Sequence, residues 1–136
     1  MDTNVLVAAA CRHASSRAYQ LLMAVLEQNY AIILTEQIIF EYLDVLLRPR
    51  VRSLTGLSRS QSEQLVKTLI SLSQKVQLHF SWRPNLQDEA DNKFVEAAIH
   101  TAAVVVTYNI RDFISPDLAR HGWSVMTPQD FLAYYN

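Results

Sequence analysis

The stretch DNKFVEAAIHTAAVVVT, residues 91–107, decides the fold. Its first part places Phe94 and Ala98 at helical spacing, which predicts a helix over 91–102. Its last part, 104–107, is β-branched throughout, which is typical of a buried strand. A helix that leads directly into such a strand indicates an α/β fold built on a parallel sheet.

The rest of the chain repeats this alternation of helices and short apolar strands. Because the strands are apolar rather than half-polar, we expect a parallel sheet with helices on both faces, in one domain over residues 1–136. In such sheets, ligands bind at the carboxyl ends of the strands. The other predicted helices are 15–29, 36–47, 60–75, 116–122 and 127–135, and the other predicted strands are 31–35, 76–80 and 123–126.

Particular residues mark the helix boundaries. Thr35 is the predicted cap of the helix over 36–47, and Pro49 is predicted to end it. Ser60 and Glu63 match the capping-box pattern for the next helix. The residues between these two helices are therefore predicted to form a connecting segment.

Composition excludes several classes of protein. The chain has 136 residues, half of them hydrophobic, and a net charge of −1, so it is not disordered and has no overall field that attracts nucleic acid. The single cysteine, Cys11, excludes an internal disulfide and a cysteine zinc cluster. The only glycines are Gly56 and Gly122, which is too few for a phosphate-binding or dinucleotide-binding loop. No apolar run approaches the ~18 residues of a membrane span, so we expect a cytoplasmic protein without a membrane partner.

Carboxylates are the candidate chemical groups. Asp112 follows the strand 104–107, Asp91 begins the helix before that strand, and Glu41 lies at the margin of an apolar helix face. Each has an ordinary explanation: a turn residue for Asp112, a helix N-terminal residue for Asp91, and a solvated residue for Glu41. The four histidines are scattered, and nothing in the sequence around the cysteine marks it as a nucleophile.

Several carboxylates that converge without histidine or cysteine are typical of a hard-cation site. Mg²⁺ and Mn²⁺ prefer oxygen ligands, and such ions activate water for attack on a phosphodiester. The carboxylates would otherwise raise one another's pKa values by repulsion, and a bound cation removes that penalty.

Four segments occur in the order MDTNVLVAA (1–9), TEQIIFEYLDVLLRPR (35–50), DEADNKFVEAAIHTAAVVVTYNIRDF (88–113) and VMTPQDFLAYY (125–135). Together they resemble the PIN-domain family, in its toxin-like, VapC-related branch. The resemblance implies a three-layer α/β/α sandwich with a central parallel sheet. It also implies an Mg²⁺- or Mn²⁺-dependent ribonuclease that cuts single-stranded RNA or structured RNA loops. Toxins of this kind are neutralised by a cognate antitoxin protein and commonly form a homodimer.

The resemblance also implies roles for individual residues. An acidic quartet would hold the metal, and metal-bound water would attack the scissile phosphate without a covalent intermediate. Polar neighbours would support the quartet, and one more acid would lie outside it. The quartet is Asp2, Glu41, Asp91 and Asp112, the polar neighbours are Thr3, Asn4 and Asn109, and the outer acid is Asp88.

The chain departs from the family pattern at two places. Many relatives carry an acid two residues after the threonine that closes the last core strand, where this chain has Asn109. Because asparagine contributes no charge, Asp112 must supply it there. The family also places an apolar strand before its first aspartate, and only Met1 precedes Asp2 here. We therefore expect the first strand to be truncated.

A local basic patch is the candidate RNA-binding surface. It holds four arginines and no acid between Val45 and Ser62, which is a local charge of +4 in a nearly neutral chain. Arginine binds phosphates in a bidentate manner, although such a segment is as readily a solvated loop. Aromatic residues could stack on bases, although tyrosine and tryptophan are as readily packing residues. The arginines are Arg48, Arg50, Arg52 and Arg59, and the aromatic candidates are Tyr42, Tyr108 and Trp82.

Two alternatives to a ribonuclease remain at this point. A non-catalytic PIN-like domain that binds RNA or a protein is consistent with Asn109 and with the truncated strand. A phosphohydrolase that uses Asp2 as its nucleophile would need a second acid at position 4, where the chain has Asn4.

Overall fold

The structure is a computed structural model that describes residues 1–75, 93–94, 97–98, 103–113 and 124–135. Several predictions lie outside the described residues. They concern Asp88, Asp91 and Trp82, the strand 76–80 and the helix 116–122.

In the described part of the chain, six helices and four short strands have defined bounds, and they follow an α/β order. Lys93, Phe94, Ala97 and Ala98 are also helical, in agreement with the helix predicted over 91–102. The helices are α1 (Thr3–Ala10), α2 (Arg17–Leu26), α3 (Glu36–Leu46), α4 (Pro49–Thr55), α5 (Arg59–Leu72) and α6 (Pro128–Tyr135). The strands are β1 (Ile33–Leu34), β2 (Gln74–Lys75), β3 (Val104–Val106) and β4 (Ser124–Met126), and a 3₁₀ turn spans Ile110–Phe113.

Side-chain caps determine where α3 and α5 begin. The hydroxyl of Thr35 accepts a hydrogen bond of 3.2 Å from the amide of Ile38, which confirms the predicted cap of α3. The capping box of α5 uses Ser58 and Gln61, so the prediction of Ser60 and Glu63 was wrong by two residues. Glutamine at the third helical position bonds back to the cap amide as glutamate does. The sequence is therefore compatible with a capping box at Ser58 and Gln61 as well as at Ser60 and Glu63.

The segment between α3 and α5 is helical and not the predicted connection. Pro49 does not simply end α3, because it also occupies the first turn of α4, where its missing N–H costs nothing. Gly56 ends α4 in the left-handed conformation, at φ 72°. Its freedom at positive φ allows the chain to turn into α5 after only two further residues.

The strands pair in parallel, as the apolar runs predict. β1 pairs with β2, with Ile33 opposite Gln74, and β3 pairs with β4 over three residues. β2 begins where the sequence predicted the end of the helix 60–75, because α5 already ends at Leu72. The described residues are therefore mostly helical, with two short parallel sheets.

An apolar cavity of about 400 Å³ separates the two sheets. Residues 31–33, which include part of β1, and residues 103–106, which include β3, both contribute to its lining, as does Met1. The amide of Asp2 donates a hydrogen bond of 2.8 Å to the carbonyl of Val106, so the chain joins the β3 edge at that one point. Within the described residues no strand fills the space between β1 and β3.

The helix α1 lies at the centre of the packing. Val5, Leu6 and Ala9 are fully buried, and α1 packs against α2 and α3. The run NVLVAAA thus leads from Asp2 directly into the first helix. None of the helices in the described part of the chain is long and apolar enough to cross a membrane.

Candidate active site

Asp2 lies at the carboxyl end of β3 and is held there by Thr107. The hydroxyl of Thr107 donates a hydrogen bond of 2.7 Å to Asp2 Oδ2. Thr107 is itself fully buried, and its amide donates to the carbonyl of Met126 at the end of β4. The Asp2 side chain is only 5% exposed. A carboxylate just before α1 is therefore tied to the second sheet by side-chain and backbone bonds.

Glu41 reaches the same region from α3. Its Oε2 accepts a hydrogen bond from the hydroxyl of Thr3, the residue that follows Asp2. Its Oε1 lies 3.0 Å from Nζ of Lys93. Glu41 is therefore held by a neutral donor on one oxygen and by an ammonium group on the other.

The side chains of Asp2 and Glu41 lie in the same region, because Glu41 bonds to Thr3, the residue that follows Asp2. Burial raises the pKa of Asp2 above its ordinary value, and the charge of Glu41 raises it further. The hydrogen bond from Thr107 opposes both effects, because it favours the charged carboxylate. The arrangement is thus two close carboxylates, each bonded to a threonine hydroxyl.

Tyr42 packs beneath this pair and does not present its ring to a ligand. It is completely buried, and its hydroxyl donates to the backbone carbonyl of Met1. Burial, followed by the charges of Asp2 and Glu41, raises the pKa of Tyr42, so the phenol stays protonated and remains a donor. Of the two roles predicted for Tyr42, the structure confirms packing and not base stacking, since no ligand reaches a ring with no exposed surface. Tyr108 remains a candidate, because it is exposed.

The turn after β3 carries Asn109 and Asp112. The amide of Asn109 donates to the Thr107 hydroxyl at 3.0 Å, and the amide of Asp112 donates to the Asn109 carbonyl at 3.0 Å. Asp112 is half-buried and Asn109 is exposed. Two hydrogen bonds thus connect the backbone of Asp112 to the residue that orients Asp2.

Of the predicted quartet, Asp2 and Glu41 lie in the same region and Asp112 lies in the turn after β3. Asp91 lies outside the described residues, as does the predicted outer acid Asp88. Within the described residues, no three carboxylate, histidine or cysteine side chains form a group that could hold a metal ion. Of the predicted supporting residues, Thr3 bonds to Glu41, while Asn4 is exposed in the first turn of α1.

Sequence reasoning missed Lys93 and Thr107 as site residues. Lys93 lies in the quoted D-N-K-F motif, and Thr107 closes the clearest strand. Position alone could have singled out Thr107, since it is the polar residue at the carboxyl end of a buried strand. Nothing in the sequence pairs Lys93 with a glutamate 52 positions away.

The four arginines of the basic patch lie on α4 and beside it. Arg48 pairs with Asp44 at 2.7 Å and Arg59 pairs with Glu63 at 3.2 Å, each one helical turn away. Acids that flank the patch on either side therefore offset two of its four charges. The other two differ, since Arg50 is exposed whereas Arg52 is half-buried.

Comparison with known proteins agrees with this architecture. The family model for the PIN domain matches residues 1–111, so the chain belongs to the PIN domain family. PIN domains are generally nucleases and generally use divalent metal ions. The match covers Asp2, Glu41 and Thr107 and ends one residue before Asp112. The comparisons with curated proteins and with solved structures found no match.

Proposed function

We propose that this chain is a metal-dependent endoribonuclease that hydrolyses RNA phosphodiester bonds. The observation that carries the proposal is the Asp2–Glu41 pair, which two threonine hydroxyls hold at the carboxyl end of β3. Parallel sheets bind their ligands at this edge. Membership of a family of nucleases supports hydrolysis as the reaction.

The donor set of this pair fits a hard divalent cation, Mg²⁺ or Mn²⁺. All its potential ligands are carboxylate or hydroxyl oxygens, which such ions prefer. Burial and the charge of Glu41 both disfavour the ionised form of Asp2, and a cation would relieve that cost. In the proposed site Asp91 and Asp112 add two further carboxylates to Asp2 and Glu41.

A bound cation would activate water and stabilise the leaving oxygen. The protein contributes orientation. Hydrogen bonds from Thr107 and Thr3 orient the carboxylates of Asp2 and Glu41, respectively. Each bond uses one lone pair of the carboxylate, so the remaining lone pairs can bind a cation.

The wider role is part of the same proposal and is supported by the resemblance of the four segments described above. The chain is proposed to be the toxin of a type II toxin–antitoxin pair. It would act in the cytoplasm as a homodimer. Each subunit would have the three-layer α/β/α sandwich fold. Arg50 and the exposed ring of Tyr108 are proposed to contact RNA phosphate and base.

Cleavage assays on purified protein test the activity. RNA is incubated with Mn²⁺ or Mg²⁺ and wild type, Asp2→Asn, Glu41→Gln or Asp44→Asn. We expect wild type and Asp44→Asn to cleave and the two site variants to lose at least about 100-fold in rate. Asp44 is the matched control, because it is an exposed acid on the same helix as Glu41. Cleavage that continues in EDTA, or equal cleavage by all four proteins, would contradict the proposal.

A second candidate is a PIN-like domain that binds RNA or a protein without cleaving RNA. Two observations favour it. Asn109 stands where many relatives carry an acid, and Lys93 is bonded to Glu41. RNA binding by wild type in Mn²⁺, with the RNA left intact, would support this candidate over the nuclease.

A further inference from the structure

Lys93 places a positive charge against the Asp2–Glu41 pair. Its Nζ lies 3.0 Å from Glu41 Oε1, and the two side chains are only 14% and 25% exposed. The pairs of Asp44 with Arg48 and of Glu63 with Arg59 are more exposed and join neighbouring helical turns. Withdrawing an ammonium group from water costs free energy unless a nearby acid compensates. The contact between Lys93 and Glu41 is therefore a partly buried ion pair, whereas the other two are exposed surface pairs.

Glu41 has different donors on its two oxygens. The hydroxyl of Thr3 donates to Oε2, and because it carries no net charge it does not repel a neighbouring cation. Lys93 offers Oε1 an ammonium group, which repels a cation. A divalent ion that uses Glu41 must therefore take this oxygen from Lys93 or bind beside a like charge.

The charge of the site changes with Lys93. Asp2 and Glu41 contribute two negative charges when ionised, and Lys93 contributes one positive charge next to Glu41. The attraction of a divalent cation grows with the negative charge close to it. Lys93 also offsets the charge of Glu41 through their 3.0 Å contact, which favours this arrangement while no cation is bound.

We propose that Lys93 is the resident counter-ion of Glu41, the α3 member of the Asp2–Glu41 pair. As a positioning residue, it holds Glu41 until a divalent cation takes that carboxylate, and so weakens the affinity of the site for the cation. This inference rests on the proposed function, because it concerns regulation of the same site. The site then responds to the divalent-ion concentration rather than staying saturated.

Metal affinity tests the proposal directly. Mn²⁺ is titrated into full-length wild type, Lys93→Gln and Lys93→Arg, and the dissociation constant is measured by calorimetry. Removing one unit charge next to a divalent ion is expected to tighten binding by on the order of tenfold in Lys93→Gln. Lys93→Arg keeps the charge and should bind as wild type does, within about threefold. Unchanged or weaker binding by Lys93→Gln would overturn the proposal.

Two further measurements separate this role from a purely structural one. Lys67→Gln removes one charge from an exposed position on α5, so its Mn²⁺ affinity should equal that of wild type. In wild type, an amine-reactive label should modify Lys93 faster in Mn²⁺ than in EDTA, while Lys67 is unaffected. The labelling needs no variant, so it decides the question even where Lys93→Gln fails to fold. No change in the labelling of Lys93 would also overturn the proposal.

The outcomes distinguish this proposal from the nuclease itself. Tighter Mn²⁺ binding by Lys93→Gln without RNA cleavage by any protein supports Lys93 as counter-ion and contradicts the ribonuclease. Cleavage by wild type with equal Mn²⁺ affinity in both proteins supports the ribonuclease and overturns the role of Lys93. If neither protein binds Mn²⁺, Lys93 has no cation to oppose and the proposal fails.

Discussion

Thr107 and Asp2 are joined by a hydrogen bond of 2.7 Å across 105 positions of sequence. It ties the start of the chain to the end of β3, and both groups are buried. Since the hydroxyl donates to the charged form of the carboxylate, this contact both orients Asp2 and keeps it ionisable. The first prediction follows from it.

Thr107→Val keeps the shape of the side chain and removes the donor. The free energy of unfolding should fall by about 1–3 kcal/mol, because a buried carboxylate loses a partner. Urea denaturation of wild type, Thr107→Val and Thr107→Ser measures this. Thr107→Ser retains a hydroxyl and should recover most of the loss. Equal stability of valine and serine variants would show that the bond contributes nothing.

Asp2 makes the metal-free protein less stable as the pH rises. Burial raises the pKa of Asp2 in the folded chain above its ordinary value of 3.8, so the folded state binds the proton more tightly than the unfolded state. This contribution is fully present below pH ~4 and is lost as the pH rises through the folded pKa. Asp2→Asn cannot titrate and should therefore gain stability relative to wild type as the pH increases. Urea denaturation in EDTA between pH 4 and 8 measures the difference. A difference that is constant or shrinks with pH would contradict the assigned shift.

Tyr42→Phe removes the hydroxyl that bonds to the Met1 carbonyl. We expect a loss of about 1–2 kcal/mol, because the phenyl ring still fills the core while a backbone acceptor loses its donor. Tyr108→Phe is the matched control on an exposed ring and should change stability by less than about 0.5 kcal/mol. Thermal and urea denaturation of both variants provide the comparison. Similar losses in the two variants would argue against a special role for the buried hydroxyl.

An apolar extension fused before Met1 should fill the cavity between β1 and β3. The amide of Asp2 already bonds to Val106, so a preceding strand would continue along the same edge. Four residues of sequence Val-Ile-Val-Val would bury apolar surface in a 400 Å³ space. The net gain is expected to be about 2 kcal/mol after the entropy of ordering four residues is subtracted. An equal extension of Gly-Ser-Asn-Ser is the control, and equal stabilisation by both would refute strand insertion.

Arg50→Gln should weaken RNA binding without changing sequence preference. Arg50 is exposed, so its guanidinium can reach a phosphate. Loss of one phosphate contact should lower the slope of log affinity against log salt by about 0.7 for single strands. Arg59→Gln, which loses a charge already paired with Glu63, should have the smaller effect. The RNA affinities of wild type, Arg50→Gln and Arg59→Gln, and their salt dependence, are compared by RNA titration of the folded proteins in Ca²⁺ at several salt concentrations.

Local patterns predicted the individual elements well. The apolar spacing in 36–47 and the cap at Thr35 define α3, because helix periodicity and capping are properties of a few adjacent residues. The parallel pairing of β3 with β4 follows from short strands with no polar face. The helix α4 escaped prediction, because Pro49 both ends one helix and begins another, and the sequence shows only the first effect.

The sequence by itself determined the α/β order of elements and the parallel pairing of the strands. These depend on side-chain type and on spacing over a few residues. Only the tertiary structure decided that Thr107 holds Asp2, that Thr3 and Lys93 share Glu41, and that Tyr42 is a buried donor rather than a stacking surface. Each of these contacts joins residues at least 38 positions apart in the chain. Hydrogen bonds and ion pairs form over about 3 Å, so they exist only after packing has brought such residues together.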